Sequence, residues 1–190
     1  MRILLHICCG PCTIGPWRVL TEDAHEVKAY FYNPNIHPLI EFRRRLKAVK
    51  VLQDRLPVEV EFEEDYGLRT FLKEVDWEGG NRCRGCYRMR LIKTARMAAG
   101  EGFDAFTTTL LASEHQKHNM VREIGEACAD EEDIAFLYRD WRHLAEPNHD
   151  DGKSMNLYLQ QYCGCIFSEY DRYINTKKHI YRGSGGQSSG

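Results

Sequence analysis

Seven of the eight cysteines in this 190-residue chain fall into three tight groups. Clustered thiols in a chain of this size point to metal or redox chemistry rather than to structural disulfides. The first group is Cys8-Cys9-Gly10-Pro11-Cys12. Neighbouring side chains on a strand point to opposite faces, so Cys8 and Cys9 reach one centre only if the chain turns there. Gly10 and Pro11 supply that turn. The second group is Cys83-Arg84-Gly85-Cys86. At the start of a helix this spacing puts two thiols on one face, where the dipole and the nearby arginines lower a thiol pKa. The third is Cys163-Gly164-Cys165. A disulfide there would close a very small ring, and strained, exposed disulfides are the labile ones that cycle with the dithiol. Alternatively the pair supplies further metal ligands. Cys128 stands alone on the apolar side of a helix and reads as a core residue.

Two metal chemistries compete for these thiols. Cys9, Cys12, Cys83 and Cys86 would make a four-thiolate zinc site. Zinc ribbons usually space their pairs by about 15–20 residues. Here 70 residues lie between Cys12 and Cys83, and Cys8 would be left spare. An iron–sulfur cluster accepts scattered ligands on a wider frame. The spacing favours iron–sulfur and leaves zinc open.

The elements that must position these groups alternate between strand and helix. Strands are expected over residues 2–7, 27–32, 58–62, 104–109 and 134–138. Helices are expected over 13–23, 38–56, 66–75 and 84–99, the last closed by the glycines at 100 and 102. A further helix runs from a Ser113 cap, with Glu114 in its first turn, to about residue 129. Two short helices, 154–161 and 168–176, flank Cys163-Gly164-Cys165. Gly79-Gly80 breaks the chain, and residues 183–190 read as a flexible Gly/Ser tail after a single domain of residues 1–182. This is an α/β chain with a Rossmann-like, mostly parallel sheet, flanking helices and a helical C-terminal segment. Such sheets bind ligands beyond the carboxyl ends of their strands. That rule brings Cys8–Cys12, Asn33-Pro34-Asn35 and the Thr107–Thr109 segment to one edge.

Composition is that of a globular protein, with 43% hydrophobic and 28% charged residues. No apolar run approaches the roughly 20 residues of a membrane helix. The apolar N-terminus is too short for a signal peptide, so the protein is expected to be cytoplasmic. The net charge of −2 argues against a globally basic nucleic-acid binder and permits a local basic face. Two basic stretches offer one: Arg82, Arg84, Arg88, Arg90, Lys93 and Arg96 around the second cysteine group, and Arg43, Arg44, Arg45, Lys47 and Lys50 on the long helix. Either is a solvated surface or a seat for a phosphate-rich substrate. Acidic runs lie apart, from Glu59 to Asp65 and from Asp130 to Asp133. His115, Lys117 and His118 start a helix beyond the Thr107–Thr109 strand end, placed to contact phosphate or donate protons, or to sit as plain surface.

The motifs Leu5-His6-Ile7-Cys8-Cys9-Gly10-Pro11-Cys12, Tyr32-Asn33-Pro34-Asn35-Ile36-His37-Pro38, Arg82-Cys83-Arg84-Gly85-Cys86-Tyr87, Phe106-Thr107-Thr108-Thr109-Leu110 and Tyr162-Cys163-Gly164-Cys165-Ile166-Phe167-Ser168 occur in that order. Together they resemble the QueH family of epoxyqueuosine reductases, from about residue 3 to residue 173. The resemblance implies a two-electron reduction of epoxyqueuosine to queuosine at the wobble position of tRNA. It implies a [4Fe-4S] cluster on Cys8, Cys9, Cys83 and Cys86, and a redox-active disulfide of Cys163 and Cys165. It also suggests an additional iron at Cys12 with an aspartate such as Asp140. Two motifs depart from the family's commoner pattern: Gly10 stands where Ala is frequent, and Asp140-Trp141-Arg142-His143 replaces Asp-Phe-Arg-Lys, which leaves His143 without an inherited role. A tRNA substrate would explain the basic frame, with Arg82, Arg84, Arg88, Tyr32, Asn33 and Asn35 as binding candidates. Tyr32, Tyr87 and Tyr162 are candidates to stack on unpaired bases. The electron donor would deliver one electron at a time. Two other readings compete: a zinc-stabilised RNA-binding module without catalysis, and a nucleotide-dependent transferase. The transferase lacks support because the first strand-end loop is rich in Cys rather than Gly and Ser.

Overall fold

A computed structural model describes residues 1–76, 78 and 80–176 of the chain. Gly79 and the expected tail of residues 183–190 therefore lie outside the described residues. Five parallel strands form one sheet: β1 (Arg2–His6), β2 (Glu26–Phe31), β3 (Glu59–Phe62), β4 (Ala105–Thr108) and β5 (Ala135–Phe136), in the order β3-β2-β1-β4-β5. The helices are α1 (Gly10–Glu22), α2 (Leu39–Gln53), α3 (Leu68–Glu74), α4 (Arg82–Gly100), α5 (His118–Glu132), α6 (Ala145–Ser154) and α7 (Ile166–Tyr173).

β1 is the central strand. It pairs with β2 in the register Leu5–Ala29 and with β4 in the register Leu5–Thr107. Helices cover both faces of such a strand, so it needs apolar residues at consecutive positions. Ile3, Leu4 and Leu5 are all fully buried. β3 is an edge strand, and its Glu-Val-Glu-Phe alternation keeps the glutamates wet. The chain leaves β1 toward β2 on one side and later returns to β4 on the other. The crevice beyond the carboxyl ends of β1 and β4 is therefore the topological switch point, where such sheets bind ligands.

Some helices differ from the sequence expectation. α1 starts at Gly10 rather than residue 13, because Pro11 suits the first turn, where no amide donor is needed. Ser113 caps no α-helix. Residues Thr109–Ala112 form a 3₁₀ turn that Ser113 closes, and α5 begins at His118 after Lys117. The expected helix over 154–161 is irregular, and α6 ends where it was expected to start. α6 has little apolar periodicity. It is held to α1 by polar contacts: Asn148 Oδ1 accepts from the Gly15 amide at 2.7 Å, and Arg18 pairs with Asp151.

Candidate functional site

β1 delivers Cys8 and Cys9 directly to the switch point. Cys9 is the N-cap of α1 with an extended backbone, and Cys12 lies in that helix's first turn. The turn folds the three Sγ atoms to within 4.8 Å of one another, with Cys9 buried and Cys8 and Cys12 part-exposed. Cys8 and Cys9 Sγ are 3.8 Å apart. β4 supplies the facing wall: Thr109 Oγ1 accepts from the Cys8 amide at 3.2 Å and lies 3.5 Å from Cys8 Sγ. Hydrogen bonds from Cys12, Cys9 and Thr109 hold the Cys8 thiol well below its ordinary range, against burial. Burial pushes Cys9 up, and the hydrogen bond with Cys8 pushes Cys12 up. Three thiols this close could hold a thiophilic ion, whose binding would release their protons.

The second and third groups meet each other. Cys83 and Cys86 sit in the first turns of α4, and the charges of Cys163, Cys165 and Cys83 all act on the Cys86 thiol. Burial pushes Cys86 up to about 12, and Arg90 opposes that rise. Arg90 is 1% exposed, donates from Nη2 to Cys86 Sγ at 3.3 Å and from Nε to the Cys86 carbonyl at 3.0 Å. No carboxylate pairs with it among the described residues. Burial works against its charge, yet Cys86, Cys163, Tyr87 and Cys8 more than offset that, so its pKa is raised. A buried cation without a carboxylate needs another anion. Here the groups that would become anionic on metal binding are sulfurs from all three cysteine groups.

Cys163 turns toward the first group. A cavity of about 130 Å³ is lined by Cys8, Cys12, Cys163, Gln116, Gln160 and His115, among others. Two amides donate to sulfur: Gln160 Nε2 to Cys9 at 3.0 Å and Cys12 at 3.3 Å, and Gln116 Nε2 to Cys163 at 3.4 Å. Tyr87 fixes the second amide. Its hydroxyl donates to Gln116 Oε1 at 2.9 Å and accepts from the Lys117 amide at 3.1 Å. The Cys163 loop is anchored by Arg45, whose guanidinium donates to the Tyr162 and Cys163 carbonyls at 2.8 and 3.0 Å and to Glu41 at 2.7 Å. Gly164 has φ +133°, and a Cβ there would meet Arg45 Nη1 at 3.2 Å. Only glycine suits that position between the two cysteines.

The remaining expected residues are placed as follows. Asp140 does not join the cysteine group. Arg142 bonds its carboxylate and holds its pKa well below the usual range, and His118 Nε2 lies at 3.5 Å. His118 is buried and donates to the Leu111 carbonyl at 3.3 Å, Lys117 precedes α5 as its cap, and His115 alone of that trio faces the cavity. Asn33 and Asn35 are buried, and Asn33 Nδ2 donates to the Ile7 carbonyl at 2.8 Å, so Asn33 ties the end of β2 to that of β1. Tyr87 is buried by the core and unavailable for stacking on a base. Tyr162 donates to the His37 carbonyl at 2.6 Å, and Tyr32 stacks on Tyr30 at 6.0 Å. Arg82, Arg84 and Arg88 are each paired, with Asp171, Glu123 and Glu131. Arg45 leaves the expected basic patch for the interior, and Cys128 is buried in the core as expected. Sequence reasoning missed Arg90 as a buried counter-charge and did not single out Gln116 and Gln160. The signal for Arg90 is its place one helical turn after Cys86.

The family described as epoxyqueuosine reductase QueH matches residues 3–171. A protein named epoxyqueuosine reductase QueH from Dehalococcoides mccartyi is 40% identical over 172 residues, covering 90% of this chain and 94% of that one. A protein of the same name from Thermotoga maritima is 32% identical over 183 residues, covering 90% of this chain and 91% of that one. Among solved structures, one described as a predicted subunit of a tRNA methyltransferase from Methanocaldococcus jannaschii is similar in fold alone. Its TM-score is 0.52 at 11% identity, covering 77% of this chain and 74% of that one.

Proposed function

The chain belongs to the epoxyqueuosine reductase QueH family, and from that premise we propose that it reduces the epoxide of epoxyqueuosine to queuosine at the wobble position of tRNA. The overall change breaks both C–O bonds of the epoxide, forms the ring C=C bond, and releases the oxygen as water. It consumes two electrons and two protons. A dithiol at Cys163 and Cys165 supplies both on becoming a disulfide, and a one-electron donor of the cytoplasm restores it in two steps.

The observation that carries this reading is the cavity that Cys8, Cys12 and Cys163 line together. Three closely set thiols suit a thiophilic group by their chemistry. In this reading Cys8 and Cys9 from the end of β1, with Cys83 and Cys86 from the start of α4, hold a [4Fe-4S] cluster, and Cys12 is left for an additional iron. The cluster would supply one-electron transfer and a Lewis acid for the epoxide oxygen. The chain's own residues do the rest. Arg45 fixes the Cys163 carbonyl and aims the loop at the cavity. Gln116 donates to Cys163 Sγ and orients it in the cavity. His115 lines the cavity and is a candidate to pass a proton to the departing oxygen. Arg90 balances the charge that accumulates on sulfur.

The test is turnover of epoxyqueuosine tRNA by anaerobically purified protein, with iron and sulfide measured beside it. About four irons and four sulfides, and loss of turnover in Cys163→Ser with the iron retained, are expected. One zinc, no colour and tRNA binding that survives Cys163→Ser/Cys165→Ser would replace this reading with the RNA-binding module.

A further inference from the structure

The two basic surfaces of the chain are treated oppositely by the fold. On α4 each exposed cation is matched: Arg82 with Asp171, Arg84 with Glu123, Arg88 with Glu131, Lys93 with Glu63, and Arg96 with Glu131 and Glu132. A carboxylate beside each of these cations cancels much of its local positive potential, so the α4 surface offers a phosphate backbone less net positive charge than its run of cations suggests. On α2, Arg45 pairs with Glu41 and Lys50 with Glu64, whereas Arg43, Arg44 and Lys47 are exposed and have no carboxylate partner among the described residues. Lys47 lies four residues from Arg43 and three from Arg44, so on the helix surface it neighbours both, on the order of 5–6 Å between Cβ atoms.

That surface borders a groove of about 280 Å³ lined by Arg44, Lys47, Val51, Asn156 and Tyr158. The Arg44 guanidinium lies over the Tyr158 ring, 5.6 Å from its centroid. The groove is wired to the thiols. Tyr158 donates to Glu41 at 2.5 Å, Glu41 accepts from Arg45 at 2.7 Å, and Arg45 holds the carbonyls of Tyr162 and Cys163. A polyanion resting on α2 would therefore be in fixed register with Cys163.

We propose that this face of α2, with Tyr158, seats the phosphodiester backbone of the substrate's anticodon stem, leaving the paired arginines of α4 to structure. The inference rests on the tRNA reading above. Free cations release counterions on meeting a phosphate backbone, and three of them set a measurable salt dependence.

The experiment is binding of a synthetic anticodon stem-loop RNA hairpin, followed by fluorescence anisotropy across a range of salt. The variant Arg43→Gln/Arg44→Gln/Lys47→Gln changes exposed side chains only. At low salt it is expected to weaken binding about 10-fold or more, and to flatten the slope of log K against log salt by about 2–3. The control Lys28→Gln/Arg96→Gln/Arg122→Gln makes the same change in net charge at ion-paired positions, and binding within about twofold of the unmodified chain is expected. Thermal unfolding checks that both remain folded. Equal losses in the two variants, or no loss in the first, overturn the assignment of α2 while leaving the tRNA reading standing. An unmodified protein that fails to bind the hairpin even at low salt overturns the tRNA reading itself, and this inference with it.

Discussion

Replacing Arg90 with Met should have opposite effects on the metal-free protein and on its thiolate-bound state. With Cys86 pushed up to about 12, its sulfur is a neutral thiol at pH 7. The guanidinium, 1% exposed, then has no full counter-charge beside it. Met has a similar length and no charge. The substitution loses a charged hydrogen bond to the Cys86 carbonyl, a cost of about 1.5–3 kcal/mol. It also removes a buried cation whose desolvation costs several kcal/mol. The net expectation for metal-free protein is unchanged to ~2 kcal/mol more stable. Once Cys86 is a thiolate the balance reverses. Two unit charges 3.3 Å apart attract by about 5 kcal/mol at an effective dielectric of 20. Taking half of that as realised, soft-metal affinity should fall ~100-fold. The assay has two arms. Urea unfolding under reductant reads the metal-free state. Cadmium titration, followed by its sulfur charge-transfer band, reads the thiolate state in a background with Cys8, Cys9 and Cys12 changed to Ser. Arg90→Lys keeps the charge and should retain most of the cadmium affinity. A metal-free Arg90→Met protein destabilised by ~3 kcal/mol or more, or a cadmium affinity equal to that with Arg90, would refute the reasoning.

Three further outcomes follow from the same geometry. Arg45→Ala leaves the Glu41 carboxylate buried and unpaired and should cost about 3–5 kcal/mol in urea unfolding; Glu41→Leu/Arg45→Met should recover most of it, and a failure to recover would mean that the carbonyl contacts of Arg45 matter more than the ion pair. Gly164→Ala must place a Cβ at φ +133° against Arg45. The expected loss is about 1–3 kcal/mol, with Cys163 alkylation, read by mass spectrometry, departing from the parent rate; a neutral effect on both would remove the constraint argued for that loop. His37 packs edge-on against Phe71 and Tyr66, and burial holds its pKa down at about 4 from an ordinary 6.5. The unfolded chain binds the proton first, so this contribution to stability is full above pH 6.5 and is lost as pH falls toward 4, by ~1–2 kcal/mol after screening. His37→Leu should shallow the acid limb of stability against pH, and an unaltered limb would show that folding does not lower the His37 pKa.

The amino-acid sequence by itself determined the sheet and the place of the site. Continuous apolar runs such as Ile3-Leu4-Leu5 suit only a strand covered on both faces, and their alternation with amphipathic helices dictates parallel pairing. The turn residues Gly10 and Pro11 bring three adjacent thiols together locally, so that cluster was legible without tertiary information. Helix starts were less legible where the signal is polar. α6 is held by Asn148 and Asp151 against α1, and no apolar period announces it. What only the tertiary structure decided is which charges are free. A run of six cations on α4 looks like a docking surface in one dimension, yet five find carboxylates on other elements and the sixth, Arg90, turns inward to sulfur. Likewise Arg45, within a basic run on α2, is buried by Glu41 and the Cys163 loop, while Arg43, Arg44 and Lys47 have no carboxylate partner among the described residues. The reason is physical: helical periodicity fixes which side of a helix a residue occupies, but the groups it meets there come largely from distant segments, as Glu123 does for Arg84, Asp171 for Arg82 and the Cys163 carbonyl for Arg45.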